Sequence, residues 1–205
     1  YVSFLGPSGS GKTTLLRVIA GFEAPDAGRV FFEGRDITHL PAHERGVGFV
    51  FQNFALFPHL TVLKNVGFGL TYGKSPLPAA EVDRRSREVI EMVGLAGLED
   101  RGVDQISGGQ RQRIGIARAL YHDPDVVVFD EATSALDNAT ESSVMEAINE
   151  LRGQKTILLI AHRLSTVERC DTIFMLEQGK VCASGNYSEL MSGSQQFARL
   201  ASGNY

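Results

Sequence analysis

The run Gly6-Pro7-Ser8-Gly9-Ser10-Gly11-Lys12-Thr13 constrains this chain more than any other stretch. It fits G-x-x-x-x-G-K-[ST] in full. The apolar residues Val2–Leu5 precede it and read as a buried strand. Lys12–Ala20 follows, with Leu15, Leu16, Val18 and Ile19 as a broad apolar face and Gly21 as the stop of a helix. Strand, glycine loop and helix in that order gather backbone N–H groups and the positive end of a helix dipole around one point. A phosphate satisfies such a point. Lys12 can neutralise β- and γ-phosphates, and the Thr13 hydroxyl can ligate Mg²⁺. The competing reading is an ordinary Gly/Ser turn before a helix, and the complete motif in its context weighs against it.

A second run answers the first. Val126–Phe129 is wholly apolar and β-branched apart from its last residue, and it ends in Asp130 and Glu131. Such runs suit the centre of a parallel sheet, buried on both faces, and ligands bind at the C-terminal edge of those sheets. Neighbouring residues on a strand point to opposite sides, so Asp130 can serve a Mg²⁺ ion through its water shell while Glu131 polarises an attacking water. Residues 29–33, 47–51 and 156–160 are also strand-like, and 172–176 and 180–183 flank Glu-Gln-Gly as a closing hairpin. Between residues 61 and 119 the pattern changes. Residues 79–93 are charged and helix-periodic, with Val82, Val89, Ile90 and Val93 as the apolar stripe, and 110–120 is helical. The expected architecture is therefore one α/β domain over residues 1–205. Its mostly parallel core comprises 1–60 and 120–205, with an α-helical lobe, 61–119, inserted.

Composition removes several alternatives. Hydrophobic residues make up 43% and charged residues 21% of 205, ordinary values for a chain that buries a core. Lys+Arg 20 against Asp+Glu 24 gives a net charge of -4, which disfavours nucleic acid as a partner. No apolar run approaches the ~18 residues of a bilayer span, and no signal peptide is expected at the start. Cys170 and Cys182 form no disulfide framework and are expected to pack as small apolar groups in a reducing compartment.

Ile106-Ser107-Gly108-Gly109-Gln110-Arg111-Gln112-Arg113 closely resembles the signature sequence of the ATP-binding cassette (ABC) transporter ATPases. Gln52 in Phe-Val-Phe-Gln resembles that family's Q-loop. Ser134-Ala135-Leu136-Asp137 resembles its D-loop, and His162 in Ile-Ala-His-Arg its switch histidine. Six motifs stand in the family's order from Gly6 to His162. The resemblance implies a P-loop NTPase core and ATP hydrolysis that powers solute transport across a membrane, with ATP and Mg²⁺ bound. Lys12, Gln52, Glu131 and His162 would then be catalytic, and Thr13, Gln52 and Asp130 would serve the metal. Gly6 to Thr13, Ser107, Gly108, Gly109, Gln110 and Asp137 would contact nucleotide. Two phosphate-binding loops in one chain imply a head-to-tail, ATP-dependent homodimer in which each signature closes over the partner's nucleotide. Membrane subunits would dock on the apolar stretch 53–60, placing the domain at the cytoplasmic face. His39, His43, His59 and His122 read as structural.

This sequence departs from the family in two ways. The upstream antiparallel β-subdomain, with an aromatic residue that stacks on adenine, is expected to be largely missing. The first half resembles importer ATPases, whereas 106–185 resembles exporter or lipid-linked-sugar flippase ATPases, as in a hybrid or a divergent natural member. Two other functions therefore stay open. One is a truncated or hybrid domain that folds and binds nucleotide but turns over poorly or not at all. The other is a soluble cassette ATPase of DNA repair or translation, which the acidic balance and the apolar segment 53–60 disfavour.

Overall fold

The computed structural model describes residues 1–72, 76–130, 153, 155–161 and 164–201. The chain divides into two compact units. The first comprises Tyr1–Gly46, Val128–Glu131 and Thr156–Tyr205; the second comprises Val47–Val127 and Ala132–Lys155.

The first unit is built on β1 (Val2–Leu5), which lies parallel to β6 (Thr156–Ile160) on one side and to β7 (Thr172–Glu177) on the other. Val2 is in register with both Leu158 and Thr172, and the rings of Phe4 and Phe174 stack at 5.7 Å. These strands are rich in β-branched and aromatic residues, which suit a pleated surface covered by neighbours. β7 turns back into β8 (Lys180–Gly185) through Gln178 and Gly179, both at positive φ, the two-residue turn whose twist matches an antiparallel pair. Helix α1 (Lys12–Ala20) follows β1 and ends at Gly21, whose φ of 84° allows its N–H to reach back to the Val18 carbonyl. α5 (Leu164–Val167), α6 (Tyr187–Gly193) and α7 (Gln195–Ala201) complete the unit.

Residues 29–33 do not form one strand. β2 (Phe31–Phe32) and β3 (Arg35–Asp36) pair antiparallel instead, because Glu33 and Gly34 both adopt positive φ and reverse the chain after two residues. The expectation for the cysteines holds for Cys170, which is buried, and not for Cys182. β8 ends the strand order with little packed over it: Lys180, Val181 and Cys182 are all exposed.

The second unit opens with β4 (Val47–Val50) and carries α2 (Val62–Tyr72), α3 (Ala79–Met92) and α4 (Gly108–Leu120). Val62, Val66 and Leu70 recur every four residues on α2, so they share one face, and all three are buried. Val89 and Ile90 of α3 and Ile114, Ile116 and Ala117 of α4 are buried as well. β5 (Val126–Phe129) is buried at all four positions, as its unbroken apolar run predicts, and it is the strand within which one unit gives way to the other. The strand order is β4-β5-β6-β1-β7-β8 in a mixed, mostly parallel sheet.

Candidate active site

In the first unit, the loop from Gly6 to Gly11 is fixed by its own backbone. Gly6 has φ +153°, and a Cβ there would lie 2.1 Å from the Leu176 carbonyl oxygen of β7, so a side chain has no room. Gly9 and Gly11 are left-handed at φ 78° and 93°. The Ser10 N–H donates to Pro7 O at 3.2 Å, and the Gly179 N–H of the β7–β8 turn donates to Ser10 O at 3.2 Å. The loop is thus moulded against the sheet before any ligand arrives.

The end of α1 that faces this loop differs from the starts of α4 and α6. α4 and α6 begin with capping boxes, whereas Gly11 offers α1 no side-chain cap and the first turn holds no acid. The first-turn N–H groups therefore keep their capacity for an incoming acceptor. Lys12 is only 5% exposed, and its Nζ donates to Gly6 O at 2.9 Å, Pro7 O at 2.8 Å and Ser10 Oγ at 3.4 Å. Folding the ammonium into the loop centres a positive charge in the cradle. The Thr13 hydroxyl donates to Asp130 Oδ1 at 2.9 Å, joining residues 117 positions apart. Asp130 is 4% exposed. A buried carboxylate beside a hydroxyl is a hard oxygen-donor pair, which suits Mg²⁺. The structure thus brings together Gly6, Ser10, Lys12, Thr13 and Asp130.

The other end of α1 is anchored by a residue that motif reasoning passes over. Arg45, also 5% exposed, donates to the carbonyls of Val18, Ile19, Leu40 and Thr38 at 2.7–2.8 Å. A cation at a helix C-terminus complements the dipole, and here it ties α1 to the segment that precedes β4. Burial lowers its pKa.

Gln52 and residues 106–113 belong to the second unit. Gln52 is exposed in the turn that follows β4. Ser107 caps α4: its Oγ accepts from Gln110 N–H at 3.2 Å, and Gln110 Oε1 accepts from Ser107 N–H at 2.8 Å. That reciprocal box leaves Gly108 with open space around its Cα. The stretch 53–60 is held by Asn65, which is wholly buried. Its carboxamide accepts from Phe57 N–H at 2.9 Å and donates to the carbonyls of Phe57, Leu60 and Thr61 at 3.1 Å. An asparagine inside an apolar helical stripe is the signal that could have revealed it. Asn65→Ala is expected to destabilise the fold by about 1–3 kcal/mol, since it strands partly buried backbone groups without their partner. Denaturant unfolding of both forms measures the loss.

Glu131, Asp137 and His162 lie outside the described residues, as does the rest of the stretch 134–137.

The family model described as ABC transporter matches residues 1–134. The chain belongs to the ABC transporter family. An ABC cassette from a sulfate/thiosulfate import ATP-binding protein, CysA 2 of Agrobacterium fabrum, is 43% identical over 192 residues, covering 92% of this chain and 56% of that protein. An Fe(3+) ions import ATP-binding protein, FbpC of Escherichia coli, is 44% identical over 192 residues, with shares of 92% and 55%. This ABC chain therefore spans a little over half the length of these relatives. Among solved structures, the dimeric post-hydrolysis state of the ATP-binding cassette MJ0796, bound to ADP and Pi, matches with a TM-score of 0.80 at 33% identity, covering 91% of this chain and 84% of that one. A bacterial Atm1-family ABC exporter with ATP bound matches with a TM-score of 0.79 at 34% identity, with shares of 98% and 36%.

Proposed function

We propose that this chain binds and hydrolyses ATP and that its turnover drives transport across a membrane. The observation that carries the reading is the cluster of Lys12, Thr13 and Asp130 at the uncapped start of α1, inside a moulded glycine loop. ATP would lay its phosphates over the Gly6 to Thr13 backbone. Lys12 would exchange neutral loop carbonyls for charged phosphate oxygens, and charge-assisted hydrogen bonds are about twice as strong as neutral ones. Mg²⁺, held by Thr13, Asp130 and Gln52, would supply charge neutralisation at the β- and γ-phosphates. Glu131 would act as the base or the water-orienting group, and His162 would hold the γ-phosphate. Asp137 would contact the nucleotide. Ser107, Gly108, Gly109 and Gln110 close over the partner copy's ATP in a head-to-tail homodimer, a mode supported by the dimeric cassette among the structural matches.

Residues 1–205 act as one ATPase domain on this reading, with 61–119 as the lobe that carries the signature. No helix among the described residues is long and apolar enough to cross a membrane. On this reading transmembrane transporter subunits or domains form the transport path, and the ATPase domain sits at their cytoplasmic face. The ordered segment 53–60 is their docking surface. The names of the relatives, both import proteins for inorganic ions, favour import over export.

Thr13→Val tests the metal assignment. It removes the hydroxyl and keeps the shape, so Mg-ATP affinity should fall about tenfold while metal-free ATP binding changes little. Titration of a fluorescent nucleotide with and without Mg²⁺ separates the two, and equal loss in both would reject the role. A domain that binds nucleotide without turnover remains the second reading. Steady-state phosphate release compared with that of Glu131→Gln decides between them.

A further inference from the structure

Two consecutive residues in the second unit, Phe54 and Ala55, have left-handed backbones, with φ of 56° and 46°. Each such conformation is disfavoured about tenfold for a residue that carries a Cβ. A pair in succession persists only when its surroundings impose it. Within the turn, Phe54 N–H donates to Phe51 O at 3.1 Å and Ala55 N–H to Asn53 O at 2.6 Å. The stronger restraint comes from α4. Gly115 and Arg118 are three residues apart and so share a face of that helix. Gly115 faces the Phe54 backbone. Arg118 donates from Nη1 to the Ala55 carbonyl and lies over the Phe57 ring, 5.0 Å from its centroid. Among the described residues Arg118 has no carboxylate partner, and its burial lowers its pKa.

We propose that Arg118 is a positioning residue for Gln52. By holding the Ala55 carbonyl and the Phe57 ring, it keeps the Phe54–Ala55 pair left-handed and so fixes the turn, residues 52–55, that carries Gln52. The proposal rests on the reading of Gln52 as a metal- and nucleotide-sensing side chain. It adds a residue on the helix that carries the signature to the machinery controlling that side chain.

Hydrogen–deuterium exchange of the nucleotide-free chain tests the restraint without any need for turnover. Arg118→Met should speed exchange of the 54–57 amides about tenfold, the factor set by one released left-handed residue. Ala55→Gly in the same background should return exchange to within about threefold of wild type, because glycine adopts positive φ without steric cost. In parallel, kcat for ATP should fall about tenfold in Arg118→Met with KM nearly unchanged, and Ala55→Gly should restore it. Rescue by a glycine that adds no contact is what a mere packing role would not produce. Unchanged exchange in Arg118→Met, or a loss that Ala55→Gly leaves in place, would overturn the proposal. So would faster exchange with normal kcat. No turnover in any form, with the exchange rescue intact, would count against the function proposed above and uphold the restraint. If Arg118→Met fails to fold, Phe57→Leu removes only the ring and should give a smaller acceleration, again reversed by Ala55→Gly.

Discussion

Lys12→Ala should weaken nucleotide binding by about 2–4 kcal/mol, the usual loss when one member of a desolvated charge pair is deleted. That corresponds to roughly 30- to 1,000-fold in Kd. Wild-type Lys12 is already buried and aimed into the loop by three acceptors at 2.8–3.4 Å, so little ordering remains to be done when phosphate arrives. Alanine removes the charge and also leaves the Gly6 and Pro7 carbonyls without that donor. Lys12→Met keeps the aliphatic stem and isolates the charge. Calorimetric titration with Mg-ATP is the measurement, and equal affinity in wild type and Lys12→Met would contradict the assignment.

Glu131→Gln should slow single-turnover hydrolysis by about 10²–10⁴-fold, the range for loss of a general base, while ATP stays bound. A form that holds ATP without consuming it should also accumulate the dimer, because the nucleotide itself would bridge each phosphate loop to the partner's signature. The signature's own geometry sets the control. Ser107→Arg should abolish dimerisation by filling the closing surface, and it also removes the α4 cap, at a cost of about 1 kcal/mol. Sedimentation of Glu131→Gln with and without Mg-ATP, beside the double variant, reads association. Thermal unfolding of the same samples shows whether the helix has survived. Hydrolysis at the wild-type rate in Glu131→Gln would remove that residue from the proposed role.

The parts of the fold that were legible in sequence are those where one local rule acts undisturbed. Val126–Phe129 is apolar at every position and forms a strand with those bounds. Lys12–Ala20 carries its own stop in Gly21 and forms the expected helix. Residues 29–33 misled because their strand propensity said nothing of the reversal at Glu33, a non-glycine residue with φ 50°. Helix α2 was harder to see, since its stripe of Val62, Val66 and Leu70 is interrupted by Asn65, Gly67 and Gly69. The loop cluster of Gly6, Lys12 and Thr13 was readable because all its parts are adjacent in sequence. Arg45 was not, because it acts on backbone carbonyls, which leave no mark in a residue string, and Asn65 shows there only as a polar break in an apolar stripe, not as the anchor of residues 57–61. Arg118 belongs with them: only the coordinates reveal that Ala55 has turned its carbonyl toward α4.

The pairing of β1 bears on how the protein is made. Val2 finds its partners at Leu158 and Thr172, so both flanks of the strand feeding the phosphate loop stay open until synthesis has advanced more than 150 residues beyond it. At about 5–20 residues per second, this interval lasts roughly 10–30 s. The second unit draws most of its contacts from one continuous stretch, Val47–Val127, and can condense meanwhile. Ligand cannot hasten the process from the start, since the cradle it would occupy is completed late by β7 and its turn. Until those partners emerge, the nascent chain carries an unpaired apolar strand, Val2–Leu5, and shielding it in that interval is a task for chaperones rather than for nucleotide.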